Sequence, residues 1–198
     1  MSRSRVGCAI SAPLSYFPYY DTSYDRIFAM KITVWTGRNE LFWHEKTVPC
    51  AIGRSGAVIA REKREGDGAT PLGTWPLRLV YFRPDRIAPP KTAGLPVAAL
   101  KPTDGWCDEI DCPNYNTKVN LPHAGSHESL WREDNIYDII VPLGYNDAPI
   151  FHGKGSAIFL HLAREGYPPT EGCIAISQPH LLELLEACDK DSTIEILP

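Results

Sequence analysis

A cysteine and a histidine near the C-terminal end of the chain have the side chains that nucleophilic acyl transfer requires. His161 ends the predicted strand 156–161, and eleven residues separate it from Cys173. A strand, a loop and a returning strand can bring the two side chains together. An imidazolium lowers the pKa of a neighbouring thiol from about 8.5, and the imidazole can then carry protons between the reacting groups. The pair therefore predicts a thiol acyltransferase, with a buried structural cysteine as the alternative.

Two further residues bear on this pair. Gly172 precedes the nucleophile, and the absence of a side chain lets the backbone approach a substrate closely. The N–H groups of Gly172 and Cys173 are candidates for binding an oxyanion. His152 is a rival acid/base, twenty-one positions before the cysteine. We prefer His161, because its strand leads directly into the loop before Cys173.

The elements around the pair are predicted to be mainly strands. Two alternating runs flank a Gly-containing turn and indicate a hairpin. One helix is predicted over 178–190, with Ser177 as its N-cap and Pro179 in its first turn. The fold class is therefore mainly β (α+β), with mixed β-sheets and a C-terminal helix. The predicted strands are 31–35, 40–44, 48–52, 75–82, 135–143, 157–162, 170–176 and 193–197.

Two segments lack a clear period. Residues 53–68 are polar and rich in glycine, which predicts a loop. Residues 83–134 combine prolines, tryptophans and polar residues, and we predict a long insertion with a short helix near 128–132. Long loops within a compact domain are usually functional.

Length and composition limit the possible classes of protein. The 198 residues are 43% hydrophobic, which fits one globular domain, predicted over 30–198. Residues 1–29 are predicted to form an extension, either poorly ordered or docked on the domain. The net charge of −4 provides no basic surface for nucleic acid, and no apolar run is long enough for a transmembrane segment. We expect a monomer.

Two motifs resemble those of one known family. Thr170-Glu171-Gly172-Cys173, with His161 upstream, is similar to the Ser/Thr-x-Gly-Cys signature of YkuD-type L,D-transpeptidases. Thr70-Pro71-Leu72-Gly73 resembles the turn that leads into a core strand in that family. Together the two matches cover roughly residues 30–198.

The resemblance implies a specific chemistry on peptidoglycan. Cys173 would attack a stem peptide after an L-configured or meso-diamino acid centre, form a thioester and release a terminal D-residue. An amine of a second stem would then resolve the thioester, with His161 as acid/base, and no metal or cofactor is implied. The substrate class also implies the periplasm or cell envelope. The alternatives are an L,D-carboxypeptidase and a catalytically silent cell-wall-binding protein.

The chain departs from the family pattern at two positions. Many members carry His at the place of Glu171 and Arg or Asn at that of Ala175. These differences predict an atypical donor pocket and leave open a 3-3 or a 1-3 cross-link.

Several polar and aromatic side chains are candidates for substrate binding. The aromatic residues of the insertion either wall a groove or anchor the loop, and Arg64 either binds substrate or forms an ion pair. The candidate residues are Arg64, Trp106, Asn116, Tyr145, Asn146, Thr170 and Glu171.

The insertion also contains a cysteine-histidine pattern. Cys107 and Cys112 are followed by His123 and His127, which imitates the order of ligands in a zinc finger. Ten residues separate the two pairs, whereas zinc fingers favour about twelve. A local disulfide or two free thiols fit this spacing better than a zinc finger, so no metal is predicted.

Overall fold

The structure is a computed structural model that describes Met1 and residues 29–198. The predicted extension over 1–29 therefore falls almost entirely outside the described residues. Within them the chain is mainly β, with one short helix, as predicted. The elements are β1 (Lys31–Trp35), β2 (Glu40–Trp43), β3 (Lys46–Pro49), β4 (Ala57–Ile59), β5 (Thr70–Pro76), β6 (Val80–Phe82), β7 (Val97–Ala99), β8 (Asp104–Cys107), β9 (Lys118–Asn120), β10 (His127–Ser129), β11 (Ile139–Pro142), β12 (Phe159–Leu162), β13 (Ile174–Ile176), α1 (Gln178–Glu186) and β14 (Thr193–Leu197).

A six-stranded sheet has the order β3-β2-β1-β14-β5-β4. The predicted hairpin of β1 and β2 is present, and Asn39 adopts the positive φ of 55° that its turn requires. Ile32 and Val34 are fully buried, as the alternation along β1 predicts. The last strand, β14, pairs in parallel with β1 and antiparallel to β5, and so joins the two ends of the domain.

A five-stranded sheet, with the order β13-β12-β11-β6-β7, carries the C-terminal residues of interest. Its centre is buried on both faces, since every residue of β11 and β12 is buried. Helix α1 covers the core with Leu181, Leu184 and Leu185, which are all fully buried. Burial on both faces explains why β11 and β12 are apolar runs without alternation.

Several predicted elements differ in their bounds. The strands predicted over 48–52, 135–143 and 170–176 are observed as β3, β11 and β13, which end at Pro49, begin at Ile139 and begin at Ile174 respectively. The run 75–82 is divided between two sheets, because β5 ends at Pro76 and β6 begins at Val80. Proline has no N–H for a further ladder bond. Helix α1 ends at Glu186 rather than at residue 190, and the Ser177 side chain makes no capping hydrogen bond.

The insertion 83–134 contains a sheet, and the prediction of a helix near 128–132 is wrong. The insertion sheet consists of β8, β9 and β10, in the order β10-β8-β9. Glu128 lies in β10 opposite Trp106, so the pairing between strands satisfies the backbone there. The loop predicted over 53–68 likewise contains the short β4, which pairs with β5.

The insertion packs on the five-stranded sheet through a second core. Leu100 and Leu130 are buried beside Tyr137, Ile140 and Phe159. The insertion is therefore folded against the sheet that carries His161. No helix among the described residues is long and apolar enough to cross a membrane.

Candidate active site

The parallel pairing of β12 with β13 brings the predicted pair to one face. His161 lies opposite Ala175, and Cys173 directly precedes β13, two residues before Ala175. Residues two apart in a strand point to the same face, so the His161 and Cys173 side chains share a face. Both line a cavity of about 660 Å³.

The thiol of Cys173 is held by the backbone of the neighbouring strand. Sγ donates a hydrogen bond to the carbonyl oxygen of Ala157 (3.2 Å) and accepts one from the N–H of Phe159 (3.4 Å). Burial raises the thiol pKa to about 12, and the neighbouring Glu128 carboxylate adds to the rise. The residue is buried, so the sulfur is reached only through the cavity.

The imidazole of His161 is oriented by its own strand. Its Nδ1 lies 2.9 Å from the carbonyl oxygen of Leu162. A carbonyl oxygen only accepts, so Nδ1 carries the proton and Nε2 is the basic nitrogen of the neutral ring. Burial lowers the His161 pKa to about 4. The Tyr137 ring packs edge-on to the imidazole, with 5.3 Å between centroids.

These pKa directions bear on the predicted mode of activation. Burial raises the pKa of Cys173 to about 12 and lowers that of His161 to about 4, which favours a thiol and a neutral imidazole at neutral pH. Both shifts therefore disfavour the thiolate–imidazolium pair that the sequence predicts. Burial of both groups is the reason, because it disfavours either charged form.

The backbone conformation and the surroundings of Gly172 leave no room for a side chain. Its φ is +131°, and a Cβ there would lie 2.9 Å from the carbonyl oxygen of Ala69. Its N–H donates to the hydroxyl of Thr170 (3.1 Å), which in turn donates to the carbonyl oxygen of Cys173 (2.6 Å). The close approach that the structure shows is to Ala69, and the Gly172 N–H already donates a hydrogen bond to Thr170.

Glu171 and Thr170, two of the predicted substrate-binding residues, line the cavity. The Glu171 side chain is 76% exposed and pairs with Arg54, whose Nε lies 2.7 Å from a carboxylate oxygen. The hydroxyl of Thr170 is used within the turn before Cys173. Of the two side chains, the Glu171 carboxylate is therefore the one directed to solvent at the rim.

Comparison with known proteins identifies the family. The family described as the YkuD L,D-transpeptidase catalytic domain matches residues 29–196. The chain belongs to this family. A comparison with curated protein sequences gives no significant match.

Solved L,D-transpeptidases are similar to this YkuD chain at low identity. L,D-transpeptidase 3 of Mycobacterium tuberculosis, in complex with a faropenem-derived adduct, is 13% identical with a TM-score of 0.43. L,D-transpeptidase 1 of the same organism is 14% identical with a TM-score of 0.41. Each match covers 86% of this chain and 60% of the other. An L,D-transpeptidase of Xylanimonas cellulosilytica is 9% identical with a TM-score of 0.39, over 85% of this chain and 60% of the other. The chain thus spans about 60% of the length of these proteins.

The cavity of this YkuD domain is also lined by polar and charged side chains that no sequence pattern predicts. Glu128, in β10, accepts a hydrogen bond from the Tyr137 hydroxyl (2.6 Å). Burial raises the pKa of Glu128 and raises that of Tyr137 well above its usual value. Basic side chains of Lys63, Arg132 and Arg164 line the same cavity. No local pattern marks these residues, because they meet only after the insertion has packed on the domain.

Three predicted substrate contacts lie elsewhere in the YkuD domain. The Tyr145 hydroxyl donates to the backbone carbonyl of Lys154, and Asn146 holds its own turn by donating to the carbonyl of Gly155 (2.9 Å). The Arg64 guanidinium donates to main-chain carbonyls of its own loop. None of the three lines the cavity of the Cys173 thiol. Their observed contacts stabilise loops.

Trp106 and Asn116 do not line the cavity of Cys173. They line a second cavity of about 220 Å³. Trp106 donates to Asn116 Oδ1 (3.0 Å), and the same oxygen accepts the N–H of Ala157 (3.1 Å). The carbonyl oxygen of Ala157 in turn accepts a hydrogen bond from the Cys173 thiol. Asn116 therefore connects the insertion to the backbone that holds the Cys173 thiol.

The rival histidine points away from the cavity. His152 Nδ1 bonds to the carbonyl oxygen of Ile110, and its ring stacks on Tyr115 with 5.3 Å between centroids. His161 lines the cavity and His152 does not. The geometry therefore favours His161 as the acid/base.

Proposed function

We propose that this YkuD chain is a peptidoglycan L,D-transpeptidase with Cys173 as nucleophile and His161 as acid/base. The observation that carries the proposal is the position of the two side chains on one face of paired strands, inside one cavity. Membership of the family supplies the reaction class, and the cavity supplies room for a peptide. Neither group is charged at rest, so the thiol must lose its proton as it attacks.

In the acylation step, Nε2 of His161 takes the proton from Cys173 as Sγ bonds to the substrate carbonyl carbon. The carbonyl electron pair moves to oxygen, and the tetrahedral adduct then collapses. The C–N bond to the terminal D-residue breaks, and its nitrogen takes the proton from His161. A thioester and a free amino acid result. Deprotonation during attack avoids forming an isolated buried charge on either group.

The oxyanion of the adduct needs N–H donors near the cysteine. The Gly172 N–H already donates to Thr170. We therefore assign the main part in oxyanion binding to the N–H of Cys173 rather than to that of Gly172. Gly172 contributes by permitting the turn in which Cys173 sits.

In the second step an amine of another stem attacks the thioester. His161 takes a proton from that amine and returns it to the sulfur as the C–S bond breaks. Water in place of the amine would give the L,D-carboxypeptidase reaction. The cavity carries both Glu128 and Arg132, and stem peptides bear carboxylates as well as an ammonium group. A wall of mixed charge suits a ligand of mixed charge.

The remaining details follow from the substrate class. We propose that the protein acts in the periplasm or cell envelope, where peptidoglycan is assembled, and that it works as a monomer. The exposed Glu171, in place of the His found in many relatives, supports an atypical donor site. The product is accordingly either a 3-3 or a 1-3 cross-link.

Incubation with purified muropeptides tests the proposal. Wild-type protein should form dimers together with a stoichiometric release of D-amino acid, and Cys173→Ala should form none. Fragmentation of the dimers by mass spectrometry assigns the cross-link. Trimmed monomers without dimers would favour the carboxypeptidase. Binding without any covalent adduct or product would contradict both enzymatic functions and favour a silent wall-binding protein.

A further inference from the structure

Beside the cavity, three soft or borderline donor groups converge within the insertion. Cys107 is buried at the end of β8, and Cys112 and His123 lie in the loops that flank β9. Their donor atoms all lie within 4.8 Å of one another. Both thiols are free rather than joined as a disulfide.

We propose that Cys107, Cys112 and His123 bind a Zn²⁺ ion. Cys112 Sγ and His123 Nε2 are 3.6 Å apart. Tetrahedral zinc with Zn–S of about 2.3 Å and Zn–N of about 2.0–2.1 Å separates its sulfur and nitrogen ligands by about 3.6 Å. The two atoms are in hydrogen-bond contact in this structure, and their spacing matches that of two ligands of one zinc ion. Two thiolates with an imidazole select zinc over the hard cations Mg²⁺ and Ca²⁺.

The backbone already provides an outer-shell donor for one of the two thiolates. The sulfur of Cys112 accepts the N–H of Asn114 (3.4 Å), two residues further along the chain. Amide N–H groups directed at sulfur stabilise metal-bound thiolates and fix their orientation. Binding releases the two thiol protons to solvent.

The three donors leave the fourth coordination position to a water molecule. Asp108 follows Cys107 in sequence, but its carboxylate is not among the donor atoms that converge here, and it lines the cavity of Cys173 instead. Three protein ligands and a water complete a tetrahedral zinc site.

The ten-residue interval that disfavours a zinc finger does not weigh against this site. The ligands lie on a three-stranded sheet and its loops, and β8 pairs with β9 to bring the two loops together. The zinc would be structural. It would fix the segment that carries Asn116, whose Oδ1 holds the N–H of Ala157 behind the nucleophile. The proposal is independent of the acyl-transfer function.

Zinc binding is tested on the full chain, kept reduced and stripped of metal with a chelator. Elemental analysis after addition of ZnCl₂ should give one zinc per chain. Addition of Co²⁺ alone should produce the sulfur-to-cobalt charge-transfer absorption that two thiolate ligands cause. Cys112→Ser and His123→Ala should each weaken zinc binding by more than the roughly 10–100-fold that loss of an outer-shell partner costs.

A matched control separates loss of a ligand from loss of any thiol. Cys188 is buried outside the insertion and its Sγ donates to the carbonyl of Leu184, a bond that a serine hydroxyl can replace. Cys188→Ser should keep one zinc per chain. Zinc should raise the melting temperature of the wild type and of Cys188→Ser, but not of Cys112→Ser. Equal zinc content in Cys112→Ser and wild type, or a reduced wild type that takes up no zinc, would overturn the proposal.

Discussion

The hydroxyl of Thr70 donates a hydrogen bond to the carbonyl oxygen of Gly172 at 3.0 Å, across 102 residues of sequence. The same hydroxyl oxygen accepts the N–H of Gly53 at 2.9 Å. The motifs 70–73 and 170–173, which together indicate the family, therefore form one structure. The first motif supports the turn that carries Cys173.

Replacing Thr70 by valine should weaken that turn. The substitution keeps the shape of the side chain but leaves the buried carbonyl of Gly172 and the N–H of Gly53 without this partner. We expect a loss of about 1–3 kcal/mol in the free energy of unfolding, measured by urea denaturation, with a lower rate of Cys173 acylation. Thr74→Val, at an exposed position of the same strand, is the control and should change stability by less than about 0.5 kcal/mol.

Replacing Gly172 by alanine tests the close approach to Ala69. Its φ of +131° and the 2.9 Å contact both oppose a side chain. The variant should lose stability by about 1–3 kcal/mol or more and acylate slowly. Gly166→Ala is the control, because φ is +76° there and no atom lies within 4 Å of the added Cβ. Equal losses in the two variants would show that backbone conformation alone, and not the contact, makes Gly172 necessary.

Replacing His161 by glutamine tests whether the imidazole acts as a proton acceptor or as a positive charge that lowers the thiol pKa. With a His161 pKa near 4, the imidazole is neutral above about pH 5, so it contributes no cation near the thiol. The pH midpoint of Cys173 alkylation by iodoacetamide should stay high and almost unchanged. Acylation by a penem should fall by about 10²–10⁴-fold, because the proton acceptor is lost.

His152→Gln serves as the control for this pair of measurements and should match the wild type in both. A midpoint that rises by a full pH unit in His161→Gln would contradict the neutral resting pair. It would restore the thiolate–imidazolium pair of the sequence-based prediction.

Replacing Glu128 by glutamine should make the nucleophile more acidic. Burial is the larger cause of the raised Cys173 pKa, and the charge of Glu128 adds to it. Removing that charge leaves burial in place, so the alkylation midpoint should fall while remaining above the value of a free thiol. Alkylation at a fixed mildly alkaline pH should then be faster in Glu128→Gln. Glu133→Gln removes an equal charge at an exposed position outside the cavity; a similar acceleration there would show a general effect of net charge.

Elements of the fold and of the site could be predicted from the sequence where their pattern lies within a few neighbouring residues. The hairpin of β1 and β2 follows from alternation around a turn, and the Gly-Cys turn was recognised from four adjacent residues. Family membership could be predicted because both motifs are short and contiguous. Cys173 and His161 could be paired because the β12-loop-β13 connection between them is short.

The remaining features could not be predicted, because they depend on contacts between segments that are distant in sequence. Glu128 was placed in a helix because its neighbours have no β alternation, yet pairing with β8 makes it part of a strand. The raised pKa of Cys173 results from burial by the insertion and could not be predicted from the presence of a nearby histidine. Tyr145 and Asn146 are polar and lie in a turn, but their hydrogen-bonding groups are directed to the backbone.

The protonated state of Cys173 has a consequence for chemical damage. Peroxide and other oxidants attack the thiolate rather than the thiol, and accessible low-pKa cysteines are lost first to sulfenic and then to sulfinic acid. A buried sulfur with a pKa near 12 escapes this route while the enzyme waits for substrate. If Cys173 is the proposed nucleophile, the burial that keeps its thiol protonated would thus also protect it from oxidation.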